Sequence, residues 1–300
     1  MDVGRMDLDG AASPAALVTK ILKAEPGLKA PIPIEELALQ LDIKEIRLVA
    51  ANGFEGGLIT DAGRSAGFIL VNQAAVRGRR RFTIGHELGH FLMTHHNPPA
   101  GGFQCSRDDM RRFSANERDA YGRMEVEANQ FSGLMLMPPP MVRRFMERFR
   151  DADLKHIMDV ATEYDVSKEV AARGYAQFHE QVVATVVVKD GRILRTYAHP
   201  KFPRIAPAWG SPVPANTLFH RARHQLNVAS SVAEARPEAW LESEWGKRMP
   251  EVSEQVYPQQ GGFALIMLWA DLVDEDDEYD PDENRTSKQR FQDRQSRWRG

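Results

Sequence analysis

His86, Glu87 and His90, in the run His86-Glu87-Leu88-Gly89-His90, have the types and spacing for chemistry on a metal-bound water. In a helix, residues four apart project from one face, so two imidazole nitrogens can meet a single cation. Glu87 stands about 100° round such a helix from His86. There its carboxylate reaches a water on the metal rather than the metal itself. Leu88, Phe91 and Leu92 bury one side of this helix, and Gly89 leaves room for a close neighbour. The plainer reading is a core helix with one satisfied and one exposed histidine, and these flanking residues argue against it.

A second helix is predicted over residues 124–138, with Phe131, Leu134, Met135 and Met137 as its main large apolar residues. Glu125 and Asn129 are four apart and share a face. Hydrolytic zinc takes three protein ligands and keeps a fourth position for water. Glu125 is therefore expected as the third ligand, and Asn129 as the group that orients a ligand histidine. Glu127 points to another side. His96 is the rival third ligand, six residues after His90, a spacing that other zinc enzymes use. The glycine that permits the necessary turn is Met93 here, so His96 is expected on the wrong side of the helix. His95 and His96 then read as a helix end, where a cationic side chain is favoured.

Arg81-Phe82-Thr83-Ile84-Gly85-His86-Glu87-Leu88-Gly89-His90, followed by Glu125-x-x-Ala128-Asn129-x-Phe131 and Leu136-Met137-Pro138, resembles the ImmA/IrrE metallopeptidase family. Ile32-Pro33-Ile34-Glu35-Glu36-Leu37-Ala38 and Gly67-Phe68-Ile69-Leu70-Val71-Asn72 also suit it, so the likeness covers roughly residues 14–180. The resemblance implies a small zincin-like domain holding Zn2+ on His86, His90 and Glu125, with Glu87 as the base. It also implies a protein substrate, a helix-turn-helix repressor whose cleavage switches on a stress response or a mobile element. The chain departs from the pattern in three places. Ser132-Gly133 replaces small alanines, a long polar insert runs from Asn97 to Arg118, and Thr94 stands where a histidine usually closes the first helix.

The expected mechanism is attack on a peptide carbonyl by metal-activated water, with Glu87 taking the proton and returning it to the leaving amine. Tyr121 and His95 are the candidates for stabilising the oxyanion. The strand 67–72 is a candidate edge for an extended substrate. Cys105 lies in the insert between the zinc helices, where a thiolate could cap the metal; an ordinary free thiol is the default. A non-catalytic regulator, its zinc structural and its role the binding of a protein or DNA, is the competing function. Glu87 separates the two, because a structural site needs no base.

The chain has 300 residues, 42% hydrophobic and 27% charged, which suits a globular protein with a sizeable core and two domains. A net charge of −3 gives no electrostatic reason to expect nucleic acid or an anionic membrane. Arg77, Arg79, Arg80 and Arg81 read as a solvated edge. The single cysteine excludes an internal disulfide and fits a reducing cytoplasm. No apolar run is long enough to span a bilayer, and the N-terminus lacks a signal peptide's apolar core. A soluble, cytoplasmic protein is expected.

The predicted class is α+β. Residues 1–13 are expected to be disordered, 14–140 to form the metallopeptidase domain and 141–181 a helical, helix-turn-helix-like segment. A small α/β, GAF-like sensor domain is expected over 182–272, and a charged disordered tail over 273–300. Helices are predicted over 14–24 and 34–41, strands over 46–49, 56–60 and 67–72. In the helical segment, Leu154, Ile157, Met158 and Ala161 form one stripe, and Ser167 caps the next helix. That helix offers only Lys168 and Arg173 as basic residues and is interrupted by Gly174, so packing or repressor docking is favoured over DNA binding. Residues 182–188 and 193–197 read as a hairpin about Asp190-Gly191. Residues 262–269 read as a strand, and 234–249 as helical with loops.

Overall fold

The computed structural model describes residues 1–97, 103–106, 108–112, 115–116, 119–149, 151–221, 223–243 and 249–272. The expected tail over 273–300 and part of the insert over 97–118 lie outside these residues.

The chain opens with a 3-10 turn, Arg5–Leu8, then α1 (Pro14–Ala24) and α2 (Ile34–Gln40). Ser13 caps α1 by accepting from the Ala16 amide, and Pro14 occupies its first turn, where a missing N–H costs nothing. Residues 1–13 were expected to be disordered, and this is corrected. Val3 and Leu8 are buried in the core, and Arg5 donates to the Asp42 carboxylate at 2.8 Å and the Arg64 carbonyl at 2.6 Å.

Three strands follow, β1 (Ile43–Val49), β2 (Gly56–Thr60) and β3 (Gly67–Asn72), then α3 (Arg77–Leu92), β4 (Phe103–Cys105) and α4 (Ala120–Leu136). The sheet order is β1-β3-β2-β4. Only β1 and β3 run parallel. Gly67, Ile69 and Val71 point inward while Phe68 is exposed, the period of two that a half-buried strand requires. β3 was a candidate edge for substrate, and this too is corrected: it lies inside the sheet, whose edges are β1 and β4.

The helical segment comprises α5 (Pro139–Met146), α6 (Leu154–Glu163) and α7 (Lys168–Phe178). Ser167 caps α7 by accepting from the Val170 amide at 3.2 Å. The arginines in the first turns of α3 are not a free edge. Arg81 is buried, donating to the Ile32 carbonyl at 2.8 Å, with Asp165 Oδ2 at 3.4 Å. Arg77 meets the same carboxylate at 2.6 Å, so Asp165, in the α6–α7 turn, ties the helix pair to α3.

The remaining elements are β5 (Val183–Lys189), β6 (Arg192–Ala198), α8 (Leu218–Arg221), β7 (Ala233–Ala235), α9 (Pro237–Trp240), β8 (Glu251–Pro258) and β9 (Phe263–Asp271). They form an antiparallel sheet of order β6-β5-β9-β8-β7. Asp190 and Gly191 both have positive φ, 49° and 72°, the hand that a tight hairpin turn needs. One face of the sheet shares a core with α5–α7, through Val183, Val187, Leu265 and Met267 against Leu154, Ile157 and Tyr175. Its other face packs on Phe202, Val213 and Trp240. The helical stretch expected over 234–249 is reduced to the single turn α9, with residues 244–248 outside the described set. Among the described residues no helix is long and apolar enough to cross a membrane.

Candidate metal centre

α3 and α4 approach closely because glycines line the contact. A Cβ on Gly85 would lie 2.7 Å from Ser132 Oγ, and one on Gly89 would lie 3.1 Å from the Phe131 ring. The crossing sets His86, Glu87 and His90 of α3 against Glu125 and Asn129 of α4. All five are buried, the first four with no exposed surface.

The donor atoms of His86, His90 and Glu125 converge. His86 Nε2 and His90 Nε2 are 3.0 Å apart, and the Glu125 carboxylate oxygens lie 3.2 Å from the first and 3.4 Å from the second. Bonds of about 2.0–2.1 Å in tetrahedral geometry demand edges of about 3.3 Å, so the set fits one small divalent cation. The partners on the far side of each ring agree. Asn129 Nδ2 donates to the Asp109 and Arg112 carbonyls at 2.8 and 3.0 Å, which leaves its Oδ1 to accept from His86 Nδ1 at 3.0 Å. His86 Nε2 therefore carries a lone pair.

His90 is held likewise by a residue expected elsewhere. The chain turns back after α3, and His96, buried, places Nδ1 2.9 Å from His90 Nδ1. Its Nε2 donates to Glu127 Oε2 at 2.8 Å, so its Nδ1 accepts from His90 and the His90 Nε2 lone pair also faces the centre. His96 is not brought into the donor set: the turn sets it against His90 on the side away from Glu125. Arg64 drives the turn. Its buried guanidinium donates to the carbonyls of His90 at 2.6 Å, Phe91 at 3.0 Å and Met93 at 2.8 Å, and also to that of His96. The cation at the negative end of α3 is thus Arg64 rather than His95 or His96. An arginine in a hairpin turn gave no warning of this in the sequence.

Glu87 is the outlier. It is fully buried and neither carboxylate oxygen has a hydrogen-bond partner. Burial pushes it up to about 8, against the pull of His86. Burial would also raise Glu125, but the closeness of His86 and His90 outweighs it and holds Glu125 well below the carboxylate range. Burial lowers His90 to about 3. His86 is raised, because Glu125 and Glu87 outweigh its burial. Gly56 of β2 lets the sheet close over this carboxylate; a Cβ there would lie 2.7 Å from Glu87 Oε1.

Of the two oxyanion candidates, Tyr121 lies one turn before Glu125 and is pushed well up by burial and then by that charge. His95 is half exposed and pairs with Glu127 at 2.6 Å. Cys105 joins the centre from β4: the donor atoms of His86, His90, Cys105 and Glu125 all lie within 4.8 Å of one another.

Two helices that cross to present a buried His/His/Glu set beside a small mixed sheet define a metallopeptidase-like domain. Residues 43–174 match the family model of the IrrE N-terminal-like domain. No curated protein matches the sequence. Among solved structures, a Mycobacterium tuberculosis transcriptional regulator is similar in fold, with a TM-score of 0.50 at 13% identity, covering 86% of this chain and 75% of that one.

Proposed function

We propose that this chain is a zinc-dependent peptidase that cleaves a regulatory protein, a helix-turn-helix transcriptional repressor, in a stress response. One observation carries the chemistry. Two imidazole lone pairs and a carboxylate face one point, beside a second buried carboxylate, Glu87, that no protein group satisfies.

His86, His90 and Glu125 would hold the metal, and its chemistry fits zinc, a tetrahedral ion taking nitrogen and oxygen donors. Bound zinc lowers the pKa of a water toward neutrality and polarises a peptide carbonyl. Glu87 accepts the water's proton and returns it to the leaving amine. Asn129 and the His96–Glu127 pair fix the two imidazoles, and Tyr121 is the oxyanion donor on the metal side. The repressor as substrate rests on the family likeness and on the regulator that shares the fold; α7, short of basic residues, serves packing or docking rather than DNA. A single buried cysteine fits a reducing cytoplasm. A sensing role for the second sheet and its helices remains part of this proposal.

The burial of every donor favours a second reading, a structural metal in a regulator that binds protein or DNA. Glu87 opposes it, since a buried orphan carboxylate costs stability without a task. The test is a survey of new protein termini in cells producing the wild type or Glu87→Gln, with zinc measured on both purified proteins. Termini specific to the wild type, in a transcription regulator, with zinc in both proteins, are expected. Identical termini would sink the peptidase.

A further inference from the structure

Cys105 has no part in the hydrolytic mechanism, yet it sits at the metal centre. Pairing of β4 with β2 places it opposite Gly56. Its Sγ lies 4.0 Å from His90 Nε2 and 3.9 Å from Glu125 Oε1, and the residue is buried. A tetrahedral zinc with one sulfur has edges from that sulfur of about 3.6 Å. The sulfur is therefore within about half an ångström of that edge from His90 and Glu125, and no more than 4.8 Å from any donor of the set, a shortfall that a side-chain rotation can close.

A second observation points to the same corner. The Glu87 carboxylate is fully buried, has no nitrogen or hydroxyl partner on either oxygen, has the Cys105 thiol as its weak neighbour, and lies under Gly56, the residue paired with Cys105. A site that activates water keeps one position free of protein, whereas four protein donors close it. Sulfur and base thus compete. With sulfur on the metal, Glu87 has no water to act on.

We propose that Cys105 is a fourth, displaceable metal ligand and that the closed structure is the latent form of the enzyme. The proposal rests on the metal reading above. β4 is three residues long and, among the described residues, is an edge strand paired with β2 alone. Phe103 of the same strand stacks on the His90 ring, centroids 4.1 Å apart and planes at 18°. Withdrawal of β4 therefore removes the sulfur, uncovers a ligand histidine and frees the edge of β2 for an extended substrate, which can add to it as a strand. The exchange is redox-neutral. The sulfur–metal bond breaks, water takes the vacated position, and the thiolate leaves with a proton drawn from solvent.

The test is X-ray absorption at the zinc edge on the full chain, loaded with zinc, as wild type, Cys105→Ala and Cys105→Ser. One sulfur at about 2.3 Å is expected in the wild type, and only nitrogen and oxygen in the variants, each still holding about one zinc. Both variants should cleave faster than the wild type. Zinc bound without sulfur in the wild type overturns the proposal and leaves the three-ligand centre standing. Sulfur in the wild type with zinc lost from both variants makes the thiolate a permanent ligand and also overturns it. No zinc in any of the three overturns the metal reading, and this proposal with it.

Discussion

Glu254 and Glu87 are both fully buried carboxylates, one in each half of the chain, with opposite surroundings. Glu254, on β8, accepts from Trp240 Nε1 at 3.1 Å, Arg221 Nη2 at 2.9 Å and the Leu218 amide at 2.5 Å. Its neighbour Gln255 accepts from the Leu154 amide and donates to the Ser230 carbonyl, each at 2.9 Å. Glu87, on α3, has no such partner on either oxygen and only the weak Cys105 thiol beside it. A satisfied buried group specifies how elements pack, while an orphaned one costs folding free energy and marks a place where chemistry is done. The second sheet spends its buried polar groups on architecture, and the α3–α4 crossing keeps one in reserve.

The contrast predicts which variants lose activity and which lose stability. Glu87→Gln should lower cleavage by about 10²- to 10⁴-fold and keep the metal; a wild-type rate would erase the distinction. Glu254→Ala should cost about 3 kcal/mol by denaturant titration, because Trp240 and Arg221 lose their acceptor. Its zinc affinity should not change, and a change would mean the halves are coupled.

The metal-stripped protein sharpens the comparison further. Folding holds Glu87 at about 8 against its ordinary 4.5, so the folded state prefers the protonated form. Wild-type stability should then fall as pH rises between those values. Glutamine does not titrate, so the variant's advantage over the wild type should widen by about 3 kcal/mol between about pH 5 and pH 8. A flat difference would show that Glu87 is not desolvated. The smallest effect is expected one step from the metal. Asn129→Ala or His96→Ala should weaken zinc binding by about tenfold, measured by competition with a chelator, and an unchanged affinity would remove their orienting role.

The helical spacing of His86 and His90, and of Glu125 and Asn129, was legible because a helix converts separations of four into a shared face. The structure brings all four together with Glu87. What escaped depends on the chain folding back. Arg64 acts on carbonyls some 26 to 32 residues away, and a backbone acceptor leaves no mark in sequence. The contact of His96 with His90 escaped because the turn after α3 is made by that arginine rather than by a glycine. β4 is too short to carry a period. β8 was hidden because Glu254 and Gln255, both buried, break its apolar alternation, so the satisfied half was the harder one to read. The Asp190-Gly191 hairpin and β9, apolar on both faces, were plain.

Every donor at the metal centre lies beneath the protein surface. An ion can enter or leave only while part of the structure is open, and the frequency of that opening, not the strength of an external chelator, then limits exchange. Above a modest chelator concentration the rate of metal loss should become independent of it. Such a chain keeps a memory: its metal content reflects supply when it folded or last opened, and it responds slowly to what the cell offers afterwards.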